Sequence, residues 1–420
     1  MPASLRNWGF TNITTIPEQM ITDGDFPTVA SANPEEPAAF KMALDKAREI
    51  DADLAMACDP DGDRIGIAVK DDRGEWILLN GNQTNIIFTW YIIQRRKALG
   101  LLKGNEYTGK TIVTSELIKD IAEKNGIPCY DVYTGFKWIA DMIRKKGAEG
   151  YIGAGEESFG FMPGSFTRDK DAVSSTSLMA EIAAWAKDQG KTLFGILESI
   201  YAEYGFSQEK MVYIVRKGLT GAQEIKDMMN NLRHNTPKTI NNSEIIIKKD
   251  YATLQEINLK TGETKTMDFP TTSDVLQFFL ADGCKISVRP SGTEPKIKFY
   301  FEARATMKNV NDFHKAQAEA LAKIDAMMAD LKGLIPGRLM YRTVYTDRYI
   351  SLFSNRYFEE LFFKIDEIYP FLCPGNRRIQ PTPILIIQHL LRQPPLIDKH
   401  GIPLSPLSFM TGNGISEFQL

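Results

Sequence analysis

Three aspartates at alternate positions, held between two apolar runs, constrain the fold of this chain more than any other stretch. Residues 55–69 read Ala-Met-Ala-Cys-Asp-Pro-Asp-Gly-Asp-Arg-Ile-Gly-Ile-Ala-Val. Both flanking runs have the apolar character of buried strands, so the aspartates are expected in the turn that joins them. A turn anchored on two buried strands holds its side chains in position before any ligand binds.

The chemistry of this turn predicts a metal site with a second ligand. Asp59, Asp61 and Asp63 offer hard oxygen ligands, which suit Mg²⁺. Arg64 would repel a bare cation, so its position suggests that an anion, most simply a phosphoryl group, binds together with the metal. A purely structural turn, in which Asp-Gly pairs are common, is an alternative. An EF-hand is excluded because Arg64 and Lys70 occupy the positions that need Gly and Glu.

The composition excludes several classes of protein. With 43% hydrophobic and 25% charged residues and a net charge of −3, the 420-residue chain does not resemble a nucleic-acid binder that depends on bulk charge. The four cysteines never form a C-x-x-C pair, which argues against a zinc site or a disulfide framework. No membrane-spanning run or secretion signal is evident. We therefore expect a cytoplasmic protein without a nucleic-acid or membrane partner.

Short apolar runs alternate with amphipathic segments, which is typical of α/β proteins. The pattern predicts consecutive α/β domains with mixed sheets, at 1–105 and 106–235, followed by an α+β C-terminal domain at 240–332. Residues 333–420 contain no alanine and a single valine. We expect this atypical tail to lie outside the fold, although helix-like patterns occur at 357–368 and 382–391.

A second loop, at residues 289–298, has the composition of an anion trap. It reads Arg-Pro-Ser-Gly-Thr-Glu-Pro-Lys-Ile-Lys and lies between two predicted strands. Hydroxyl groups, backbone N–H groups around Gly292 and cations at both ends favour a phosphate cradle. A plain surface hairpin is the alternative.

A third loop, Gly-Ala-Gly-Glu-Glu-Ser-Phe-Gly at 153–160, follows a predicted strand. No helix opens directly after it, which argues against a dinucleotide site and an NAD-dependent enzyme. Glu156 and Ser158 can instead hydrogen-bond to sugar hydroxyls, and a purely structural turn is the alternative. Lys137 and Lys170 each lie near a predicted helix start, where phosphate is favoured, although a solvated charge cluster is an alternative.

In this order, the motifs DPDGDR, TGFK, GEESFG, RDKDA and RPSGTEPKIK closely resemble those of the α-D-phosphohexomutases, the phosphoglucomutase/phosphomannomutase family, over residues 7–331. The resemblance implies an enzyme that interconverts hexose 1-phosphates and hexose 6-phosphates. Glucose phosphates are the expected substrates, and the use of mannose phosphates is left open. Its implied cofactors are Mg²⁺ and glucose 1,6-bisphosphate, the intermediate that turns over between two half-reactions. A non-catalytic module that binds Mg²⁺ and sugar phosphate is the alternative.

The resemblance also implies roles for individual residues. Mg²⁺ would be held by the three aspartates, and Arg64 would act at the transferring phosphoryl group. The sugar would be recognised by Glu156, Ser158, Lys137 and Lys170. The phosphate that is not transferred would be gripped by Arg289, Ser291, Gly292, Thr293 and Lys298.

Two departures from the family pattern matter. The family carries its phosphoserine in a T-A-S-H-N-P loop, whereas Ser31 is followed here by Ala32 and Asn33. We therefore expect a truncated second domain, no phosphoserine domain, and no activity from this chain alone. Lys298 stands where relatives commonly have arginine, which keeps the charge but loses the bidentate fork.

Overall fold

The computed structural model describes residues 1–216, 220–292 and 294–334, together with the strands Ile384–Ile387, Leu396–Ile397 and Pro403–Leu404. These residues form two compact units. Unit 1 contains 1–114 and 121–197, and unit 2 contains 115–120 and 198 onward to the end of the long C-terminal helix. No helix in the described part of the chain has both the length and the apolar character needed to cross a bilayer.

The helices of the described residues are α1 Pro2–Asn7, α2 Lys41–Glu49, α3 Gly81–Ala98, α4 Glu116–Lys124, α5 Phe136–Lys146, α6 Ala172–Asp188, α7 Leu193–Tyr204, α8 Gly221–His234 and α9 Phe313–Leu334.

The strands are β1 Ile13–Thr15, β2 Leu54–Cys58, β3 Ile65–Lys70, β4 Trp76–Leu79, β5 Tyr107–Thr111, β6 Cys129–Val132, β7 Tyr151–Glu156, β8 Gly160–Met162, β9 Phe206–Val215, β10 Thr239–Ile240, β11 Ser243–Asp250, β12 Gln255–Asn258, β13 Thr264–Thr266, β14 Leu276–Leu280, β15 Lys285–Pro290, β16 Lys296–Ala305, β17 Ile384–Ile387, β18 Leu396–Ile397 and β19 Pro403–Leu404.

The first sheet of unit 1 has the order β1-β17-β2-β3-β4, and each neighbouring pair is antiparallel. Helix α2 buries Ala43, Leu44 and Ala47 against this sheet in a core that includes Phe40 and Trp76. A short 3₁₀ turn at Pro37–Phe40 precedes this α-helix.

The expectation that the segment after Lys332 stays outside the fold is wrong for β17. This strand lies between β1 and β2 and pairs with both. Its four residues, Ile-Leu-Ile-Ile, have strong strand preference, which overrides the helix expected at 382–391. The helix expected at 357–368 lies outside the described residues.

The second sheet of unit 1 has the order β6-β5-β7-β8 and is mixed. Strands β6 and β7 run parallel to β5, and the short β8 turns back antiparallel to β7. Helix α5 packs Ile139, Met142 and Ile143 onto the buried strands. The predicted α/β class is confirmed.

Unit 2 is built on an antiparallel sheet of order β13-β12-β11-β14-β15-β16-β9, with β10 paired to β11. The ten-residue strands β9 and β16 pair along their whole length. Helix α9 packs with Ala316, Ala320 and Ile324 buried. The antiparallel character and the long final helix agree with the α+β pattern predicted for 240–332.

Candidate functional site

The aspartates lie in the connection between β2 and β3. All five residues of β2 are buried, as are the first five of β3, and Cys58 lies opposite Ile65 in the antiparallel register. Gly62 adopts a left-handed conformation, with φ of 71°, and its N–H donates to the Asp59 carbonyl at 3.1 Å. The predicted turn between two buried strands is confirmed, and the left-handed position explains the glycine.

The three carboxylates converge. One ligand oxygen from each of Asp59, Asp61 and Asp63 lies within 4.8 Å of the others. Asp59 is buried, and its Oδ1 accepts backbone N–H groups of Asp63 at 3.1 Å and of Arg64 at 2.9 Å. Asp61 is exposed and makes no hydrogen bond or ion pair with a described residue. An oxygen cluster with one fixed wall and one open side fits a hard divalent cation.

The pKa values of two of the aspartates are shifted in opposite directions. Burial, followed by the hydrogen bond to Asp63, raises the pKa of Asp59 to about 7. Burial works in the same direction on Asp63, but hydrogen bonds from Asp59 and Lys170 outweigh it, so the pKa of Asp63 is lowered. Asp59 is therefore the carboxyl of the pair that takes up a proton more readily. A cation bound beside it would favour the ionised carboxylate.

Lys170 is drawn into this cluster. Its Nζ lies 2.6 Å from Asp63 Oδ2 and 3.2 Å from Asp169 Oδ1, and 5.3 Å from the centre of the Phe136 ring. The lysine stem passes over Gly160, where an added Cβ would lie 2.4 Å from the lysine Cδ. Gly160 is therefore needed for this lysine to reach the aspartates.

Arg64 is shared among three carboxylates. Its Nε lies 3.6 Å from Asp59 Oδ2 and 3.9 Å from Asp63 Oδ1, and its Nη1 lies 3.5 Å from Glu35 Oε1. The arginine side chain keeps 36% of its surface exposed, so its guanidinium remains accessible to an anion. Glu35 was not predicted as a site residue from the sequence. The available signal was the segment Asn-Pro-Glu-Glu-Pro at 33–37, which is distant from Arg64 in the sequence but contacts it in the structure.

The connection after β7 is hydrogen-bonded to the aspartate turn. The N–H of Ile65 donates to the Phe159 carbonyl at 2.9 Å, and the N–H of Ala172, at the start of α6, donates to the Gly62 carbonyl at 3.0 Å. Phe159 has a φ of 63°, which is uncommon for a non-glycine residue and places its carbonyl at this junction. Three segments are thereby fixed to one another around the three aspartates.

Glu156 is buried in the same region, and its carboxylate accepts the backbone N–H of Gly135. Burial, and then repulsion from Glu157, raises the pKa of Glu156 to about 7. The carbonyl of Glu156 accepts from Asn85 Nδ2 at 2.7 Å. Glu157 accepts from the hydroxyls of Thr111 and Thr114 at 3.2 and 3.3 Å, contacts that sequence reasoning also missed.

The other two residues assigned to the sugar are placed less centrally. Ser158 is half-buried in the connection between β7 and β8. Lys137 is exposed in the first turn of α5, and its Nζ lies 5.1 Å from the centre of the Trp138 ring. The structure therefore brings the aspartates, Arg64 and Lys170 together, whereas Lys137 lies beside the Trp138 ring.

The predicted phosphate loop belongs to unit 2, where it joins β15 to β16. Arg289 and Lys298 are direct partners in the antiparallel register, so two cations face each other on one side of the sheet. Directly opposed like charges destabilise a strand pair, and a bound anion removes that cost. Ser291 is half-buried and Gly292 exposed, whereas Thr293 lies outside the described residues.

Three family models match this chain. Residues 1–74 match "Phosphoglucomutase/phosphomannomutase, alpha/beta/alpha domain II", residues 80–204 match "alpha/beta/alpha domain III", and residues 229–330 match the "C-terminal domain" of the same family.

Curated relatives include the phosphoglucomutase of Staphylococcus aureus (strain MRSA252), 37% identical over 301 residues, which are 71% of this chain and 53% of the relative. The phosphoglucomutase of Staphylococcus haemolyticus (strain JCSC1435) is 32% identical over 320 residues, 76% of this chain and 56% of the relative. The chain thus spans about half the length of the curated relatives it matches.

Among solved structures, the open form of the Paramecium phosphoprotein pp63/parafusin, a phosphoglucomutase, matches with a TM-score of 0.51 at 17% identity. The match covers 73% of this chain and 52% of the Paramecium chain. At this identity the likeness concerns the fold.

Proposed function

This chain belongs to the phosphoglucomutase/phosphomannomutase family, and from that premise we propose that it binds a hexose phosphate together with Mg²⁺ for phosphoryl transfer between the 1- and 6-hydroxyls. Glucose phosphates are the proposed substrates, with glucose 1,6-bisphosphate as the intermediate. The observation that carries the proposal is the converging set of aspartate oxygens with Arg64 and Lys170 beside it.

In this proposal Asp59, Asp61 and Asp63 hold the metal. When bound, Mg²⁺ neutralises charge on the phosphoryl group, a contribution of several kcal/mol in typical enzymes. Arg64 donates hydrogen bonds to phosphoryl oxygens. Lys170, which is 2.6 Å from Asp63, exchanges part of that contact for the anionic ligand.

The sugar is assigned to the connection after β7. Glu156 has a carboxylate whose pKa of about 7 lets it accept or donate hydrogen bonds near neutral pH. Ser158 adds a hydroxyl, and Lys137 would leave the Trp138 ring to reach a ligand. Each group matches the donors and acceptors that a sugar hydroxyl offers.

A second phosphate is assigned to unit 2. Arg289 and Lys298 face each other across β15 and β16, and the proposed cradle adds Ser291, the backbone of Gly292 and Thr293. The opposed cations support this assignment because an anion between them replaces repulsion by two charge-assisted contacts.

We further propose that the 420-residue chain binds its ligands without turning them over. The family's carrier loop has Ser followed by His and Asn, whereas Ser31 is followed by Ala32 and Asn33 and belongs to the segment that resembles the family's later N-P-E-E-P run. Without the nucleophile that carries the phosphoryl group, positioning alone does not supply the covalent step. The remaining residues are then a binding apparatus.

Calorimetric titration with glucose 1-phosphate, glucose 6-phosphate and glucose, in the presence of Mg²⁺, tests the proposal. Arg289→Ala should weaken sugar-phosphate binding by roughly 1.5–3 kcal/mol and leave the response to glucose unchanged. Lys265→Ala, at a cation that is 65% exposed on β13, is the matched control. Equal weakening by both variants, or no difference between the phosphates and glucose, would contradict the phosphate assignment.

A further inference from the structure

We propose that Glu35 is a positioning residue that holds Arg64 toward the anion once the metal has bound. The inference rests on the proposed function and deepens it. Arg64 contacts three carboxylates in the described part of the chain, and Glu35 alone lies outside the group of metal-ligand aspartates.

Metal binding changes the surroundings of Arg64. Asp59 and Asp63 attract its guanidinium in this structure, at 3.6 and 3.9 Å. When their oxygens bind a divalent cation, their charge is neutralised and the cation itself repels the guanidinium. Glu35 keeps its charge in that state because it does not belong to the ligand set. Its contact of 3.5 Å to Nη1 then becomes the main restraint on Arg64.

Hydrogen bonds and packing of the surrounding turn hold Glu35 in position. Its N–H donates to Asn33 Oδ1 at 3.0 Å, and the N–H of Glu36 donates to the Asn33 carbonyl at 3.0 Å, so residues 33–36 form a closed turn. Pro34 is buried, and its carbonyl approaches Gly66 so closely that an added Cβ would lie 2.9 Å away. Gly66 lies in β3, two residues after Arg64, so the turn and the arginine are anchored on the same strand.

The side chain of Glu35 is also suited to the role by its exposure. It keeps 18% of its surface exposed against 36% for Arg64, so the ion pair is partly shielded while the guanidinium still reaches solvent. Partly buried charge pairs are screened less than surface pairs. Glu36, the next residue, has no ion pair with a described residue, which makes it a matched control for charge.

The test compares Glu35→Gln with Glu36→Gln at saturating Mg²⁺, with glucose 6-phosphate and glucose 1-phosphate as probes in calorimetry. Each variant removes one negative charge, so a general electrostatic effect would strengthen anion binding in both. The positioning role predicts the opposite for Glu35→Gln, a weakening of about three- to tenfold, and no more than a twofold change for Glu36→Gln.

Two further measurements separate positioning from a structural defect. Melting temperatures of the two variants should agree, and Glu35→Gln should have no additional effect on sugar-phosphate affinity in an Arg64→Ala background. Equal affinities in the two variants, or an undiminished effect of Glu35→Gln without Arg64, would overturn the inference and leave the proposed function standing. Failure of the unaltered chain to bind sugar phosphate would overturn both.

Discussion

Two clusters of charged residues in this molecule contain nearly the same set of charged groups but differ in how those groups are paired and exposed. The aspartate loop contains Asp59, Asp61, Asp63 and Glu35 with Arg64 and Lys170, if the exposed Asp169 is set aside. A second cluster, called the buried cluster after its central pair Lys285 and Glu302, lies in unit 2 and also contains Glu116, Asp120, Glu209 and Arg304, with the Asp120 side chain 43% exposed. Each combines four carboxylates with two cations, so the number of charges does not distinguish them.

In the buried cluster, the cations form ion pairs with carboxylates of the same cluster. Lys285 Nζ lies 2.7 Å from Glu116 Oε1 and 3.1 Å from Glu302 Oε2, and the side chains of Lys285 and Glu302 are 2% and 3% exposed. The Glu302 carboxylate also accepts the N–H of Glu116, at the start of α4, with both oxygens at 3.0 Å. Arg304 adds a contact of 2.6 Å to Asp120. Glu116, Asp120 and Glu302 are thus each paired with a cation of the protein itself.

The aspartate loop is partly exposed to solvent. Asp61 is exposed, and the oxygens of the three aspartates converge within 4.8 Å. The difference is that Asp61 makes no hydrogen bond or ion pair with a described residue, whereas Lys285 and Arg304 pair with carboxylates of the buried cluster. A converging set of carboxylates with one member left to solvent is therefore the better candidate for a cation site. Three substitutions would break or sharpen this comparison.

The largest effect is expected at Lys285. Lys285→Met removes the cation shared by Glu116 and Glu302 and leaves their charges buried without it. Breaking a buried pair from one side costs about 3–5 kcal/mol, which urea unfolding would measure. The control Lys265→Ala, at the exposed pair with Glu263, should cost no more than about 0.5 kcal/mol. A small cost at Lys285 would show that the buried cluster is not self-contained.

A smaller, pH-dependent effect is expected at Glu209. Burial, and then repulsion from Glu302, raises the pKa of Glu209 to about 7, while the Ser115 and Ser207 hydroxyls and Arg304 act in the other direction. The folded state therefore binds more protons than the unfolded state between the ordinary pKa of 4.5 and about 7. Stability that is fully present below that window is lost as the pH rises through it.

Glu209→Gln should remove this loss. The free energy of unfolding of the variant relative to the original chain should rise by roughly 1–3 kcal/mol between pH 4.5 and pH 7.5. Urea unfolding at several pH values measures the difference. Parallel pH profiles for the two proteins would be inconsistent with a proton held at Glu209.

The smallest effect on stability is expected at the aspartate loop. Asp61→Asn removes one charge from a self-repelling set, and Asp61 makes no hydrogen bond or ion pair with a described residue. In the absence of Mg²⁺ the variant should unfold within about 0.5 kcal/mol of the original chain, or be slightly more stable. A loss of 2 kcal/mol or more, on the order of a buried-group defect, would place Asp61 among the structural charges.

The sequence alone predicted the strands that surround the aspartates and most of the sheet of unit 2, because apolar runs and alternation identify buried strands directly. Strand β5, Tyr107–Thr111, is harder to identify from its sequence. The reason is Lys110, which is completely buried and pairs with Asp131 at 2.8 Å on the neighbouring strand. A buried ion pair makes a core strand look polar in the sequence.

The grouping of candidate site residues was predicted to a similar degree. Residues adjacent in sequence, such as Asp59 to Arg64, were expected to lie together from their motif, and they do. Glu35 was missed because its contact with Arg64 spans 29 positions and depends on the turn at 33–36 packing on β3. The strand β17 was missed for a related reason, since pairing with β1 and β2 depends on partners more than 300 positions away. Long-range contacts leave no local pattern.

The central claim is that the aspartate loop, with its converging and incompletely satisfied carboxylates, is a divalent-cation site. Calorimetric titration of Mg²⁺ into the original chain and into Asp61→Asn, with melting temperatures recorded for both, tests it most directly. The account predicts a saturable Mg²⁺ isotherm for the original chain, its loss in the variant, and an unchanged melting temperature without the metal. Equal Mg²⁺ binding by the two proteins, or no binding by either, would contradict it.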